Sequence, residues 1–254
     1  MPQRGFEGMV GQGRPWGWGR CLHHVAQAGM ALLGVWGCAH AAPVTPVLGA
    51  RHPAAPSGQA PLQDGVYEGA IAPLNERKTR LAPQGHVRVT VHGDTVRVLV
   101  VASGLGPRQV YGQQIQGFLT PSGRDGAGNS AHCATLAQDS NHDGYVDVPE
   151  TVASSGMMLV PLNAQPAAMD MTAPTYPRSL ADGTYHYDVT LKRTRLENRL
   201  ARAFNTSLLP ATRVIYLHGV APGKALPRSV STIGFQPAWQ TLPVACALLV
   251  KVGG

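Results

Sequence analysis

The sequence predicts an all-β fold, mainly an antiparallel sandwich or barrel, with one amphipathic helix and one inserted acidic loop. Two stretches, 86–105 and 183–191, alternate apolar and polar residues with the period of two that a half-buried strand requires. The 254 residues are 44% hydrophobic but only 6% aromatic and 14% charged, with 30 Gly and 21 Pro. Short strands joined by many turns fit this composition better than a helix bundle.

The stretch "HVRVTVHGDTVRVLVVASGL" (86–105) predicts a β-hairpin around "HGD", because Val87, Val89 and Val91 share one face. In "GTYHYDVTL" (183–191) the apolar positions again alternate. "RVIYLHGV" (213–220) and "PVACALLVKV" (243–252) are apolar almost throughout, which is typical of interior strands.

The predicted helix lies in "LKRTRLENRLARAF" (191–204). Leu196, Leu200 and Phe204 are spaced i, i+4 and i+8, and Arg and Lys fill most other positions. This pattern favours a helix that covers the sheet, with a binding helix for a partner as the alternative.

The N-terminus has the features of an export signal. Arg14 and Arg20 precede the apolar stretch "VAQAGMALLGVW" (25–36), which is too short to span a bilayer, and "CAHAAP" follows it. We expect a signal peptide over residues 1–41, a secreted or periplasmic protein, and no transmembrane segment in the mature chain. Because "VWGC" (35–38) resembles a bacterial lipobox, a lipid anchor at Cys38 is the alternative.

Residues 42–63 carry five prolines and no acidic residue, which indicates a linker. The predicted β-domain therefore spans 64–254. After processing, Cys133 and Cys246 are left as a pair in an oxidising compartment, so we expect a disulfide between them. Two buried free thiols are the alternative.

The net charge of +7 does not indicate a nucleic-acid partner. Basic residues cluster only at 75–80 and 191–202, without interleaved aromatics or a known motif, so a solvated surface is the better interpretation. The enzyme signatures G-x-S-x-G, a phosphate-binding glycine loop and H-E-x-x-H do not occur. The sequence therefore offers no catalytic residue, and the protein partner stays unknown.

The stretch "DSNHDGYVDVPE" (139–150) matches the calcium-loop pattern D-x-[DN]-x-[DN]-G-x5-E. Four of the chain's 14 acidic residues fall within it. Calcium is a hard cation that takes six to eight oxygen ligands. The pattern assigns them to the following residues: Asp139, Asn141, Asp143, the carbonyl of Tyr145, Asp147 directly or through water, and bidentate Glu150.

Other positions of this stretch also fit a calcium loop. Gly144 allows the sharp turn at position 6, Val146 is placed to anchor the loop to the core, and His142 is expected to face solvent. A solvated acidic turn is the alternative. The segment before the loop is short and "TVASSG" leads straight out of it, so long flanking helices are not expected. A dockerin-like interaction module would need a second such loop, and the sequence has none.

The hairpin "GHVRVTVHGDTVRVLVVASGL" resembles the opening hairpin of CHRD-type domains and of the related superoxide dismutase-like sandwich. "DSNHDGYVDVPETVASSGMMLVPL", "DGTYHYDVTL" and "VIYLHGV" resemble exported bacterial proteins that insert an EF-hand-type calcium loop into such a domain. The resemblance covers residues 64–252. It implies a β-sandwich with a bound calcium ion.

One element departs from this family. Where its members have "QHIHGF", this chain has "QQIQGF" (113–118), so Gln114 and Gln116 replace two histidines. Transition metals need imidazole or thiolate ligands, which argues against copper or zinc. His218 lies at a strand end, where a hydrogen-bonded core histidine is a better interpretation than a ligand. We expect a non-catalytic exported domain with a structural calcium ion; the alternative is a superoxide dismutase-like metal oxidoreductase.

Overall fold

The computed structural model describes residues 63–119, 130–232 and 234–254. The strands in these ranges are β1 (Gly65–Pro73), β2 (Gln84–His92), β3 (Thr95–Ser103), β4 (Gly112–Gly117), β5 (Met157–Pro161), β6 (Tyr185–Lys192), β7 (Val214–His218), β8 (Pro243–Leu248) and β9 (Val250–Gly253). The α-helices are α1 (Glu76–Thr79), α2 (Val148–Ser155), α3 (Arg193–Phe204) and α4 (Ala238–Thr241). The predicted signal peptide, Cys38 and residues 42–62 of the predicted linker lie outside the described residues.

All strand pairs between these elements are antiparallel, and the strand order is β5-β4-β7-β8-β1-β2-β3-β6, with β9 paired to β1 beside β8. The predicted all-β antiparallel fold is therefore confirmed. Strand β1 joins the two halves of the sheet. It pairs with β2 along one edge and with β8 and β9 along the other.

The predicted hairpin is present as β2 and β3. Val91 pairs with Val96 and His92 with Thr95, so Gly93 and Asp94 form the two-residue turn. Val87, Val89 and Val91 are buried, whereas His86 and Arg88 on the other face are exposed. The apolar and polar residues that alternate in the sequence are thus buried and exposed in turn along the folded strand.

A single core joins the two halves of the sheet. Val87 and Val98 of β2 and β3 belong to the same buried cluster as Ile115, Leu217 and Ala245 of β4, β7 and β8. The curled sheet therefore encloses its own apolar faces, as in a sandwich or half-open barrel. Leu196 and Leu200 of α3 are buried in this cluster, with Phe204 packed against it, so the predicted helix covers the core.

The segment 130–155 covers the outer face of β7 and β8. Its residues Ala131, Ala134 and Val146 form a second buried cluster with Tyr216 and Cys246. Several contacts fix it there. The backbone N–H of Ala134 donates to the Tyr216 hydroxyl at 2.8 Å, and the Cys133–Cys246 disulfide joins the segment to β8. The predicted disulfide is confirmed, and the acidic loop lies on this covering segment.

Three strands were not predicted. They are β1, β4 and β5, and each lacks a clear apolar alternation. The predicted strand 243–252 is divided into β8 and β9 at Leu249, whose backbone N–H turns to the carbonyl of Arg213 at 3.1 Å. Among the described helices, none has both the length and the apolar character that crossing a bilayer requires.

Candidate functional site

The loop 139–150 lies between a short 3-10 turn, Leu136–Gln138, and helix α2. The expectation that "TVASSG" leads straight out of the loop is wrong, because α2 begins at Val148, inside the twelve-residue pattern. Its N-cap is Asp147, whose carboxylate accepts from the backbone N–H of Glu150 at 3.2 Å, while the Glu150 carboxylate accepts from the N–H of Asp147 at 3.0 Å. This reciprocal capping box starts the helix.

The side chains of the first two predicted ligands converge on the backbone N–H of the third. Oδ1 of Asp139 and Oδ1 of Asn141 both accept from the N–H of Asp143, at 3.2 and 3.0 Å. Oδ2 of Asp139 accepts from the N–H of Gly144 at 2.9 Å. Gly144 has φ +83°, a left-handed conformation that glycine adopts without strain. The turn at position 6 therefore folds as predicted, and side chains 1 and 3 lie on its inner side.

Asp143 has one oxygen in use and one free. Its Oδ1 accepts from the N–H of Tyr145 at 2.8 Å. Its Oδ2 is buried and has no hydrogen-bond partner among the described residues. A buried carboxylate oxygen without a donor is destabilising unless a donor or a cation meets it. This oxygen is thus available for a ligand.

Glu150 closes the loop. Its Oε1 accepts from the N–H and the hydroxyl of Ser140, both at 2.8 Å, at the start of the loop. Its Oε2 accepts from the N–H of Asp147 near the end. One carboxylate thus joins both ends of the twelve-residue stretch, in the position from which the last ligand of a calcium loop acts.

Asp147 also anchors the loop to another segment. Its Oδ2 accepts from the N–H of Ser231 at 2.7 Å, and the amide nitrogen of Asn141 lies 3.3 Å from the carbonyl oxygen of Ser229. Asp147 is buried, and both of its oxygens accept hydrogen bonds. In this structure it serves as helix cap and anchor.

Asn75, which the sequence did not single out, holds the centre of the loop. Its side-chain oxygen accepts from the N–H of Val146 at 2.8 Å, and its amide nitrogen donates to the carbonyl of Val146 at 2.9 Å. The same nitrogen donates to the carbonyl of Pro243 at 2.9 Å. Val146 is fully buried, as predicted for position 8, and His142 is exposed. The loop is therefore fastened to the sheet at its apolar residue.

A second residue of the same basic stretch contacts the loop. Nζ of Lys78 lies 5.4 Å from the centre of the Tyr145 ring, on the side of the loop at Gly144. A cation over an aromatic face is a weakly stabilising contact at an exposed site. The stretch 75–80 is thus a neighbour of the acidic loop as well as a solvated surface.

The donor set of the loop consists of oxygen atoms from carboxylates, one carboxamide and the backbone, and such a set suits a hard cation. As folded, several of these oxygens accept hydrogen bonds from loop N–H groups. Among the residues that the structure describes, no three His, Cys, Asp or Glu side chains are grouped closely enough to hold a metal ion. Coordination of a cation therefore requires these carboxylates to give up some of their present hydrogen bonds.

The glutamines of "QQIQGF" lie beside His218. Nε2 of Gln114 is 2.7 Å from Nε2 of His218, and Nδ1 of His218 is 2.7 Å from the carbonyl oxygen of Thr241. Burial lowers the pKa of His218 to about 4, so the ring is neutral at pH 7. With the proton on Nδ1, both ring nitrogens have partners, and the prediction of a hydrogen-bonded core histidine is confirmed.

Comparison with known proteins finds a likeness in structure but none in sequence family. No protein-family model matches the chain, and no curated protein matches it. Among solved structures, a mutant of superoxide dismutase 5 from Candida albicans is similar to this chain, with 12% identity and a TM-score of 0.33. The match covers 75% of this chain and 94% of that chain. The likeness is distant, and the fold described above rests on the strands and ladders of this chain itself.

Proposed function

We propose that this chain is a non-catalytic, exported calcium-binding β-domain in which calcium has a structural role. The ion is held by Asp139, Asn141, Asp143, the carbonyl of Tyr145, Asp147 and Glu150. The observation that supports this most is the unpartnered buried Oδ2 of Asp143, which lies in a loop of the calcium pattern.

The chemistry of the loop supports the same ion. Four carboxylates lie within twelve residues, and like charges this close repel one another. A bound calcium ion supplies the positive charge that offsets this repulsion. Asp139 and Glu150 then orient the two ends of the loop, and Gly144 lets the chain turn around the ion.

A structural role follows from the place of the loop. It belongs to the segment that covers β7 and β8, and it is fastened there by Asn75 and by the disulfide. An ion that orders the loop therefore strengthens the cover over the second buried cluster. The disulfide also supports export, because such bonds persist in oxidising compartments. We propose a secreted or periplasmic location, with anchoring through a lipid at Cys38 as the alternative.

Calcium titration of the purified mature protein tests the proposal. We expect a dissociation constant of roughly 0.1–1 mM, the range of extracellular modules. At a calcium concentration ten times the dissociation constant, the free energy of unfolding rises by about 1.4 kcal/mol if only the folded form binds calcium. Melting temperature and calorimetric heat are measured for the parent and for Glu150→Gln, which removes the closing carboxylate and should bind most weakly.

The matched control is Glu76→Gln, the same change at an exposed position of α1, which should respond to calcium like the parent. Magnesium at the same concentration should produce a smaller shift. If calcium changes neither the melting temperature nor the heat, the loop is only a polar turn. Stoichiometric copper with dismutase activity in the purified protein would instead support the oxidoreductase alternative.

A further inference from the structure

A cavity of about 700 Å³ lies on the outer face of the sheet, beside the covering segment. Its floor is formed by alternate residues of β4, namely Gly112, Gln114 and Gln116, together with His218 of β7. Helix α2 forms one wall with Val148 and Val152. The volume lies within the range of 300–1,000 Å³ that small-molecule sites occupy.

The walls of this cavity are mainly apolar. Three methionines line it, Met157, Met158 and Met171, and methionine side chains adapt to ligands of irregular shape. None of the described lining residues is Asp, Glu, Lys or Arg, and His218 is neutral and hydrogen-bonded through both nitrogens. An occupant with a net charge would have no counter-ion there. The lining thus favours a neutral molecule.

The mouth of the cavity exposes apolar side chains to solvent. Val152, Met157 and Phe235 line the cavity and are among the exposed large hydrophobic residues of the described chain. Phe235 is fully exposed. Exposed apolar residues that gather at one opening are typical of a ligand-binding surface. The exposed part of the cavity lining is therefore apolar, like its walls.

One polar residue that lines the cavity has a buried amide nitrogen without a partner. Gln116 is 1% exposed, and its amide nitrogen makes no hydrogen bond with the described residues. Gln114, two positions earlier on the same face, uses its amide on His218. A buried amide N–H₂ without an acceptor is unfavourable and rare in folded proteins. Gln116 is the polar group that would orient an occupant.

We propose that this cavity binds a neutral, largely apolar small molecule whose ester, ketone or hydroxyl oxygen accepts a hydrogen bond from the Gln116 side chain. The apolar walls supply affinity and Gln116 supplies orientation, as is usual in small-molecule sites. The proposal does not rest on calcium binding, because it uses none of the calcium ligands.

Two fluorescent probes test the proposal on the full chain. Nile red is neutral and apolar and carries a ring carbonyl; diphenylhexatriene is a hydrocarbon without an acceptor. We expect both to bind. Gln116→Met, which keeps length and removes the donor, should weaken Nile red binding about tenfold and leave diphenylhexatriene unchanged or tighter.

A second variant blocks the cavity without disturbing a buried residue. Val152→Trp adds bulk at the partly exposed mouth and should weaken both probes at least tenfold. The matched control is Leu136→Trp, an exposed apolar position that does not line the cavity, which should bind like the parent. The melting temperature of each variant verifies that it is folded.

Three outcomes would overturn the proposal. The first is that neither probe binds the parent. The second is that Val152→Trp binds both probes as the parent does, which would place them elsewhere on the chain. The third is that Gln116→Met does not weaken Nile red more than diphenylhexatriene, which would remove the hydrogen-bonding role of Gln116.

Discussion

The side-chain amide of Asn75 hydrogen-bonds to both the N–H and the C=O of Val146, 71 residues away in the chain. It thus forms with one side chain the pair of bonds that a neighbouring strand would otherwise form. Because the same amide also donates to the carbonyl of Pro243, it joins the loop to the first residue of β8. A single buried carboxamide therefore fixes the loop to the sheet.

Asn75→Ala should lower the free energy of unfolding by about 4 kcal/mol, because it removes three buried hydrogen bonds to backbone groups of Val146 and Pro243. Asn75 also has φ +62°, which alanine adopts less readily than asparagine. Urea denaturation measures the loss. Arg77→Ala, at an exposed position two residues later, is the control and should change stability by less than about 0.5 kcal/mol. Equal effects of the two substitutions would contradict the role of Asn75.

Removing the disulfide as Cys133→Ala with Cys246→Ala should destabilise the protein by up to about 4–5 kcal/mol. The bond closes a sequence separation of 113 residues, which restricts the unfolded chain strongly. The midpoint of guanidinium unfolding is compared between the oxidised parent and the double variant. The parent unfolded and refolded with reductant is the control and should behave like the variant. A midpoint that does not move would show that the cross-link contributes nothing.

Stability should fall as the pH drops from 6.5 towards 4, because of His218. Burial lowers its pKa to about 4 from the ordinary histidine value of 6.5, so the folded state disfavours the proton that the unfolded chain takes up. Its contribution is present above pH 6.5 and lost towards pH 4, in total about 3 kcal/mol. Urea unfolding at several pH values in calcium-free buffer measures this for the parent and for His218→Gln. The variant should lose about 3 kcal/mol less over this window; equal losses would exclude His218 as the cause.

Gly156→Ala should be severely destabilising, by more than about 3 kcal/mol. Gly156 has φ +71° and ψ −156°, and an added Cβ would lie 2.2 Å from the carbonyl carbon of Gly117. Gly93→Ala is the matched control, since Gly93 has φ +53° but nothing within 4 Å of the added atom. It should cost only about 1 kcal/mol. Similar melting temperatures for the two variants would show that β4 and α2 do not meet as closely as described.

The part of the fold that the sequence predicted is the part with local periodicity. The hairpin of β2 and β3 and helix α3 each bury one face, so their apolar spacing is visible along the chain. Strand β4 reads "GQQIQG" and is buried on both faces, which removes the alternation. In β1 the glycines interrupt the apolar pattern. A Cβ on Gly69 would lie 2.3 Å from the carbonyl oxygen of Leu248, so close approach of the strands requires glycine there.

The candidate site also has a part that the local sequence predicts and a part that it does not. Its six predicted ligands lie within one loop, so their spacing alone could indicate them. Helix α2 was missed because Asp147 and Glu150 were assigned to the ion, although the same pair, with Pro149 between them, is also a helix-start pattern. Asn75 and Ser231 come from distant parts of the chain. Only the pairing of the strands brings them to the loop, and no local pattern records that pairing.

The place of β1 in the sheet also sets a condition on folding kinetics. Its partners β8 and β9 are the last two of the described strands, with Ala72 opposite Cys246 and Val66 opposite Gly253. The two halves of the sheet therefore cannot join before residues 243–253 have been synthesised, and such non-local pairing folds in roughly milliseconds to seconds. Until then one edge of β1 is open to pairing with other chains. A chain that lacks residues 243–254 should consequently aggregate rather than yield a smaller folded domain.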